Sequence, residues 1–388
     1  MDQAQYEQLL ADFKTQVSQE STIYDMETFA GKPDGPIVVM VHGIGGHAKH
    51  WSDPVSLNVN DTWLFDLNAK PQNAGNGLLS SPPYNPQSVS SWTQYFRNNN
   101  VSYVNFSQAK PGDLIQYAVV ELVSILRGLE TRVFPVLEQD ATSNNSTVPS
   151  LIILCHSRGG LVTRNALKQL GAAGVPHLRK VITLFTPHRG SYMPKLADDY
   201  NNGLHNQVDF NKLSDHVPGF FQGFVNTQIE PILNSLANKV REAMLHSFGT
   251  LAQSPGFDEL IPTSSMLQSL AQDEQPIPGV LYYSFGGANP TFVDFFASFA
   301  GQTIRLLATA SPVLVELLAN IPGVRDNYGG LAEIDKGDSA VAMSSSTWPE
   351  AFSAQHQVYH LNHMQALVDK SLQETVLGIV QEGKVSSW

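Results

Sequence analysis

The sequence predicts an α/β fold, with a mostly parallel central sheet carrying helices on both faces. Three observations predict it. Short β-branched, apolar runs recur along the chain. Longer stretches between them place apolar residues at spacings of three and four, the alternation that a parallel sheet with crossover helices requires. One buried-strand pattern also ends in a serine-bearing turn that opens at once into a helix pattern, "SLIILCHSRGGLV" at 150–162.

In chain order, "PIVVMV" at 36–41, "VSYVNF" at 101–106, "SLIILC" at 150–155 and "KVITLF" at 180–185 read as buried strands. "GVLYYSF" at 279–285 and "HQVYHL" at 356–361 extend the sheet. Helical periodicity runs over 113–137 and again over 363–378. Between 191 and 278 the pattern changes to apolar helical stretches, around Phe220 to Phe224 and Ile232 to Met244, with no strong strand. The expected organisation is therefore a core begun by 1–190, a mainly helical cap or lid inserted over 191–278, and a core strand over 279–289. A second cap-like helical insertion over 290–330 and a closing core segment over 331–388 complete it.

Composition narrows the function classes. Charged residues are 15% of the 388-residue chain and hydrophobic ones 42%, against roughly 25% charged in ordinary globular proteins, which marks a folded chain with an uncharged polar surface. A net charge of −12 repels phosphate backbones, so nucleic acid is excluded as a partner. The one cysteine, Cys155, can form no internal disulfide, and no CxxC or His/Cys cluster announces a metal or cofactor. The most hydrophobic tract, 292–324, is interrupted by Asp294, Arg305, Glu316 and prolines, which excludes a membrane span. The opening residues, "MDQAQYEQLLADFKTQVSQE", lack the basic start and apolar centre of an export signal. The compartment stays open: cytoplasmic with this N-terminus, secreted if a leader has been removed.

The turn at Ser157 carries the chemistry. A strand ending at Cys155, a serine on the turn and a helix starting at Gly159 and Gly160 form a nucleophile-elbow pattern, in which small residues let strand and helix approach closely. The bland reading of Ser157 is a helix N-cap. A second motif weighs against it: "HGIGG" at 42–46 follows the first strong strand and offers backbone N–H groups to a developing oxyanion. The donors expected are the amides of Ile44 and Arg158. A serine hydroxyl also needs a histidine to accept its proton and a carboxylate to orient that histidine, in the chain order Ser, acid, His. His363, on the loop after "HQVYHL", is preferred to His360 within that strand. Asp338 of "KGDSAV" is preferred to Asp335. Cys155 reads as a packing thiol, and His42, His156 and His188 as hydrogen-bonded scaffold. Arg158, Arg164 and Arg189 read as holders of carbonyls and carboxylates. The Phe-rich stretches at 220–224 and 292–299 are either cap core or the lining of an acyl pocket.

With "HGIGG", "CHSRGGLVTR", "TLFTPHRGS" at 183–191, "KGDSAV" and "LNHMQAL", the chain resembles the α/β-hydrolases of the bacterial triacylglycerol lipase and carboxylesterase type. "ELIPTSSMLQSL" at 259–270 resembles the segment that returns from the cap in these enzymes. The resemblance spans about 38–367, leaving the cap and the first 35 residues unmatched. It implies a serine carboxylester hydrolase with Ser157, Asp338 and His363 as triad and a hydrophobic ester or lipid as substrate, met in transient contact with a lipid interface. No cofactor is implied. Two features depart from the pattern: Cys155 stands where many relatives have glycine, and Met364 and Gln365 stand where some carry a calcium-binding aspartate after the histidine. The same triad would serve a polyester, thioester or amide hydrolase or an acyltransferase. An aspartate-nucleophile hydrolase is disfavoured by Ser157 itself, and an inactive binding protein by the competent residue type at each triad position.

Overall fold

The computed structural model describes residues 1–23, 25–54, 90–195, 198, 254–288, 295–299, 302–306, 336–338 and 340–381. Its centre is a seven-stranded sheet in the order β1-β3-β2-β4-β5-β6-β9. The strands are β1 (Asp25–Phe29), β2 (Ile37–Val41), β3 (Ser102–Ser107), β4 (Leu151–His156), β5 (Leu178–Leu184), β6 (Leu281–Gly287) and β9 (Gln355–Tyr359). All neighbours run parallel except β1, which pairs antiparallel with β3. Every residue of β2, β3 and β4 is buried, as expected of central strands covered on both faces. The apolar runs of β2 and β4 are what makes those two legible.

The edge strand β1, "DMETF", was not among the expected strands. Only Met26 is buried in it, so its residues carry neither an apolar run nor a clean alternation. Helix Gln3–Glu20 packs beside it through Tyr6, Leu10, Phe13 and Val17. That spacing puts four apolar side chains on one face. Asp2 and Gln5 close the N-terminus of this helix as a reciprocal capping box, and the Tyr6 hydroxyl, 2.9 Å from Ser102 Oγ, ties the helix to the sheet.

The helix expected over 113–137 is in fact helix Ile115–Gly128, a π-turn at Leu129–Val133 and helix Phe134–Asn144. Pro135 explains the break, because a proline lacks an N–H and crowds the carbonyl one turn earlier, so the chain widens ahead of it. The closing helix, expected from 363, begins at Lys370. The Asn362 side-chain oxygen accepts from the amides of Met364 and Gln365, a local turn that competes with helix. Asp369 Oδ1 then accepts from Leu372 N at 2.8 Å, capping the helix proper.

Of the insertion expected over 191–278, residues 199–253 lie outside the described residues. The chain returns as two short helices, Pro255–Asp258 and Ser265–Ala271, before entering β6. In the stretch 290–330, expected to be helical, the described residues instead pair as antiparallel strands β7 (Phe295–Phe299) and β8 (Gln302–Leu306). "FFASF" and "QTIRL" are rich in aromatic and β-branched residues and are separated only by Ala300 and Gly301, a hairpin composition. Among the described residues, no helix is long and apolar enough to cross a membrane.

Candidate active site

Ser157 follows β4 directly and has φ 55°, in the left-handed region. A non-glycine residue there costs about 1 kcal/mol or more. Ladder bonds hold it in place, with Ser157 N–H donating to Leu184 O at 2.9 Å. Helix Gly159–Gly174 starts two residues later. Both of its first residues must be glycine for steric reasons. A Cβ at Gly159 would lie 2.4 Å from Val41 O, and one at Gly160 would lie 2.3 Å from Thr186 Oγ1. Because Val41 O is backbone inside the sheet, Gly159→Ala is expected to lower stability by about 2 kcal/mol, read as a reduced urea midpoint with an unchanged slope. An unshifted midpoint would mean that strand and helix separate more freely than the geometry allows.

The glycine-rich loop after β2 lies against the serine, and a Cβ at Gly43 would sit 3.2 Å from Ser157 Oγ. His42 organises this loop. Its Nε2 accepts from Gln108 N–H at 3.0 Å, so Nδ1 carries the proton and donates to Gly43 O at 2.9 Å. Gly46 N–H donates to the same oxygen at 3.2 Å. Since the peptide is planar and trans, fixing Gly43 C=O turns the Ile44 N–H the opposite way. Among the described residues, neither the Ile44 amide nor the Arg158 amide has a hydrogen-bond acceptor. These are the two donors expected from the sequence.

Asp338 is fully buried. Its Oδ1 accepts from the amides of Ala340 (2.9 Å) and Val341 (2.7 Å), and its Oδ2 lies 2.9 Å from His363 Nδ1. Asp338 O also accepts from His363 N–H at 3.0 Å, so side chain and backbone both hold the histidine. His363 lies on the loop after β9, whereas His360 is exposed just beyond the strand. Asp335 lies outside the described residues. The link to the elbow is His156, the residue before Ser157, whose Nε2–H donates to His363 O at 2.9 Å with the two rings 4.8 Å apart.

Around this centre lie buried histidines that stay neutral. Burial pushes His42 down to about 3 and His50 to about 4, each helped by neighbouring histidines. Burial likewise holds His156 and His188 well below the ordinary range, with His363 and Arg164 adding to the respective effects. His188 lies 3.0 Å from Thr183 Oγ1, and its carbonyl accepts from Arg164 Nη1 at 2.7 Å. The rest of the Arg164 guanidinium pairs with buried Glu274. Arg189 is exposed, and its amide donates to Ser345 Oγ. Cys155 is fully buried, its thiol pushed up to about 12 by burial and set 3.4 Å from Ile182 O. Such a thiol packs and does not react. Among the described residues, no three His, Cys, Asp or Glu side chains are disposed to hold a metal ion.

Sequence reasoning did not reach Gln108, Pro111 or Glu274. Their partners lie far off in sequence, Gln108 with His42 and Arg158, Pro111 with Gly45 and Arg158, and Glu274 with Arg164, so no local pattern marks them.

No protein-family model and no curated protein matches the chain. Among solved structures it is similar to the mature lipase BlEst2 of Bacillus licheniformis, at 14% identity and a TM-score of 0.45 over 92% of this chain and 98% of that one. It is also similar to lipase 1 of Pelosinus fermentans, at 13% identity and TM-score 0.47 over 91% and 100% of the two chains. A third is the Staphylococcus hyicus lipase, at 14% and 0.44 over 90% and 95%. The chain's own strand order, antiparallel only at β1, and its left-handed serine between β4 and the following helix make this an α/β-hydrolase fold.

Proposed function

We propose that the protein is a serine carboxylester hydrolase acting through an acyl-enzyme. The observation that carries this reading is the buried Asp338–His363 pair, whose histidine carbonyl accepts from His156, the residue before the strained Ser157. In this reading His363 Nε2 removes the Ser157 proton as Oγ attacks the ester carbonyl. The Ile44 and Arg158 amides receive the oxyanion, and Asp338 keeps the proton on Nδ1 and balances the imidazolium. His363 next gives its proton to the departing alcohol. Water, deprotonated by His363, then attacks the acyl carbon and returns free serine and acid.

The substrate class is a hydrophobic ester. The apolar segments within 191–278 and 290–330 support this, since they follow the elbow and precede the acid and histidine, where a cap would wall an acyl pocket. The decisive experiment is p-nitrophenyl ester hydrolysis from acetate to palmitate, with wild type and Ser157→Ala in parallel. The expected result is turnover favouring the longer chains in wild type and a loss of at least about 10⁴-fold in the variant. Retained activity in the variant would overturn the assignment of Ser157, and a sharp preference for acetate would overturn the hydrophobic-ester reading.

A further inference from the structure

Arg158 is fully buried, yet among the described residues its guanidinium hydrogen-bonds no carboxylate. It donates from Nη1 to Asp113 O at 2.7 Å, and from Nη2 to Pro111 O at 2.7 Å and Gln108 Oε1 at 3.3 Å. Burying a cation against carbonyls is costly, so the geometry it enforces is the informative feature. Pro111 O is shared: it also accepts from Gly45 N–H at 2.9 Å. Gln108 in turn donates its backbone N–H to His42 Nε2 and its side-chain amide to His42 O. The elbow residue therefore reaches across to the same short segment, 108–113, that holds both ends of the "HGIGG" loop.

We infer that the Arg158 side chain is a positioning residue for the oxyanion site, locking the Ile44 donor to the Arg158 donor through Pro111 and Gln108. This rests on the proposed serine-hydrolase reading and deepens it. One residue supplies a backbone donor and, through its guanidinium, fixes where the other donor stands. The two halves of the site come from different crossover loops, and without such a tie each could shift with its own loop. The segment returning from 199–253 closes on the same guanidinium. A Cβ at Gly256 would lie 2.4 Å from Arg158 Nη1 and 2.1 Å from Asp113 O, and Gly256 N–H donates to Gly112 O at 3.0 Å. Glu259, three residues on, accepts from Ile115 N–H at 2.6 Å and attracts the guanidinium. Whatever displaces this returning segment displaces the clamp.

The test uses Arg158→Met, Arg158→Lys and Gly256→Ala. The last perturbs the guanidinium without changing the elbow, so one substitution that fails to fold does not end the test. Each protein is titrated with a fluorophosphonate to count reactive Ser157, and kcat and KM are measured per titrated site. Inhibition by an alkylboronic acid, which forms a tetrahedral adduct on the serine, is measured beside a planar ketone analogue of the substrate. The expected result is a kcat fall of about 10- to 100-fold with KM within about threefold. Boronate affinity falls by a similar factor while the planar analogue binds as before. A merely structural role would lower the titrated fraction and leave kcat per site and boronate affinity unchanged, and that outcome overturns the inference. Failure of wild type to react with the fluorophosphonate would instead overturn the hydrolase reading itself.

Discussion

Asp338→Asn is expected to lower kcat by about 10⁴-fold while leaving the fold intact. The size of the effect follows from how the carboxylate is held. Oδ1 receives two backbone N–H groups, from Ala340 and Val341. An asparagine must keep its oxygen there, because an amide NH₂ cannot accept those bonds. Its nitrogen would then face His363 Nδ1, which must become an acceptor, and the ring proton moves to Nε2. A ring protonated at Nε2 cannot take the serine proton. The fold survives because the side chain is isosteric and both backbone bonds remain. Stopped-assay kinetics together with a thermal melt check the prediction. A loss below tenfold would show that some other carboxylate orients His363, whereas an unfolded variant would show that the charge itself holds the loop.

Stability is expected to fall steeply as pH drops from 6.5 towards 5. His42 and His50 are buried with folded values of about 3 and about 4, against 6.5 for an exposed histidine. Their contribution is complete above the unfolded value of about 6.5 and is lost as pH falls below it, since the unfolded chain then binds protons that the folded one refuses. Each group steepens the loss by about 1.4 kcal/mol per pH unit. Together they remove about 4 kcal/mol by pH 5, a large part of a typical domain's stability of about 5–15 kcal/mol. His156 and His188 act in the same direction. Glu121, Glu259 and Asp369 oppose it at lower pH, because burial raises their values and the folded chain keeps their protons. The steepest loss is therefore above the carboxylate range. Urea midpoints at pH 7 and pH 5 measure it. His42→Gln, which cannot titrate, should unfold more easily at pH 7 yet lose less on acidification. A wild-type midpoint that does not move between the two pH values contradicts the assignment of these rings as neutral.

The legible parts of the molecule are those in which one short stretch contains the whole physical cause. "IVVMV" and "LIILC" are apolar throughout because central parallel strands are covered on both faces, so their burial is written in their composition. "CHSRGG" is legible because a left-handed residue between strand and helix needs small neighbours, here pressed against Val41 O and Thr186. The edge strand β1 escaped because a half-exposed five-residue strand is selected by its partner β3 and not by its own residues. The π-turn ahead of Pro135 and the turn capped by Asn362 escaped for a related reason: one proline and one asparagine overrode a helical periodicity that continues on either side.

The candidate site divides along the same line. Residue type and chain order single out Ser157, Asp338 and His363, because only certain groups can attack, shuttle a proton or orient a ring. Which contacts bring them together is a property of the packed chain. His156 bridges the elbow to His363 O, two amides hold Asp338 Oδ1, and Arg158 reaches Pro111 and Asp113 across the loop. Each of these bonds uses a backbone atom that every residue possesses, and those of His156 and Arg158 join residues remote in sequence. Local pattern therefore singles out the candidate side chains, while the backbone bonds that position them exist only once the sheet has assembled and brought these loops together.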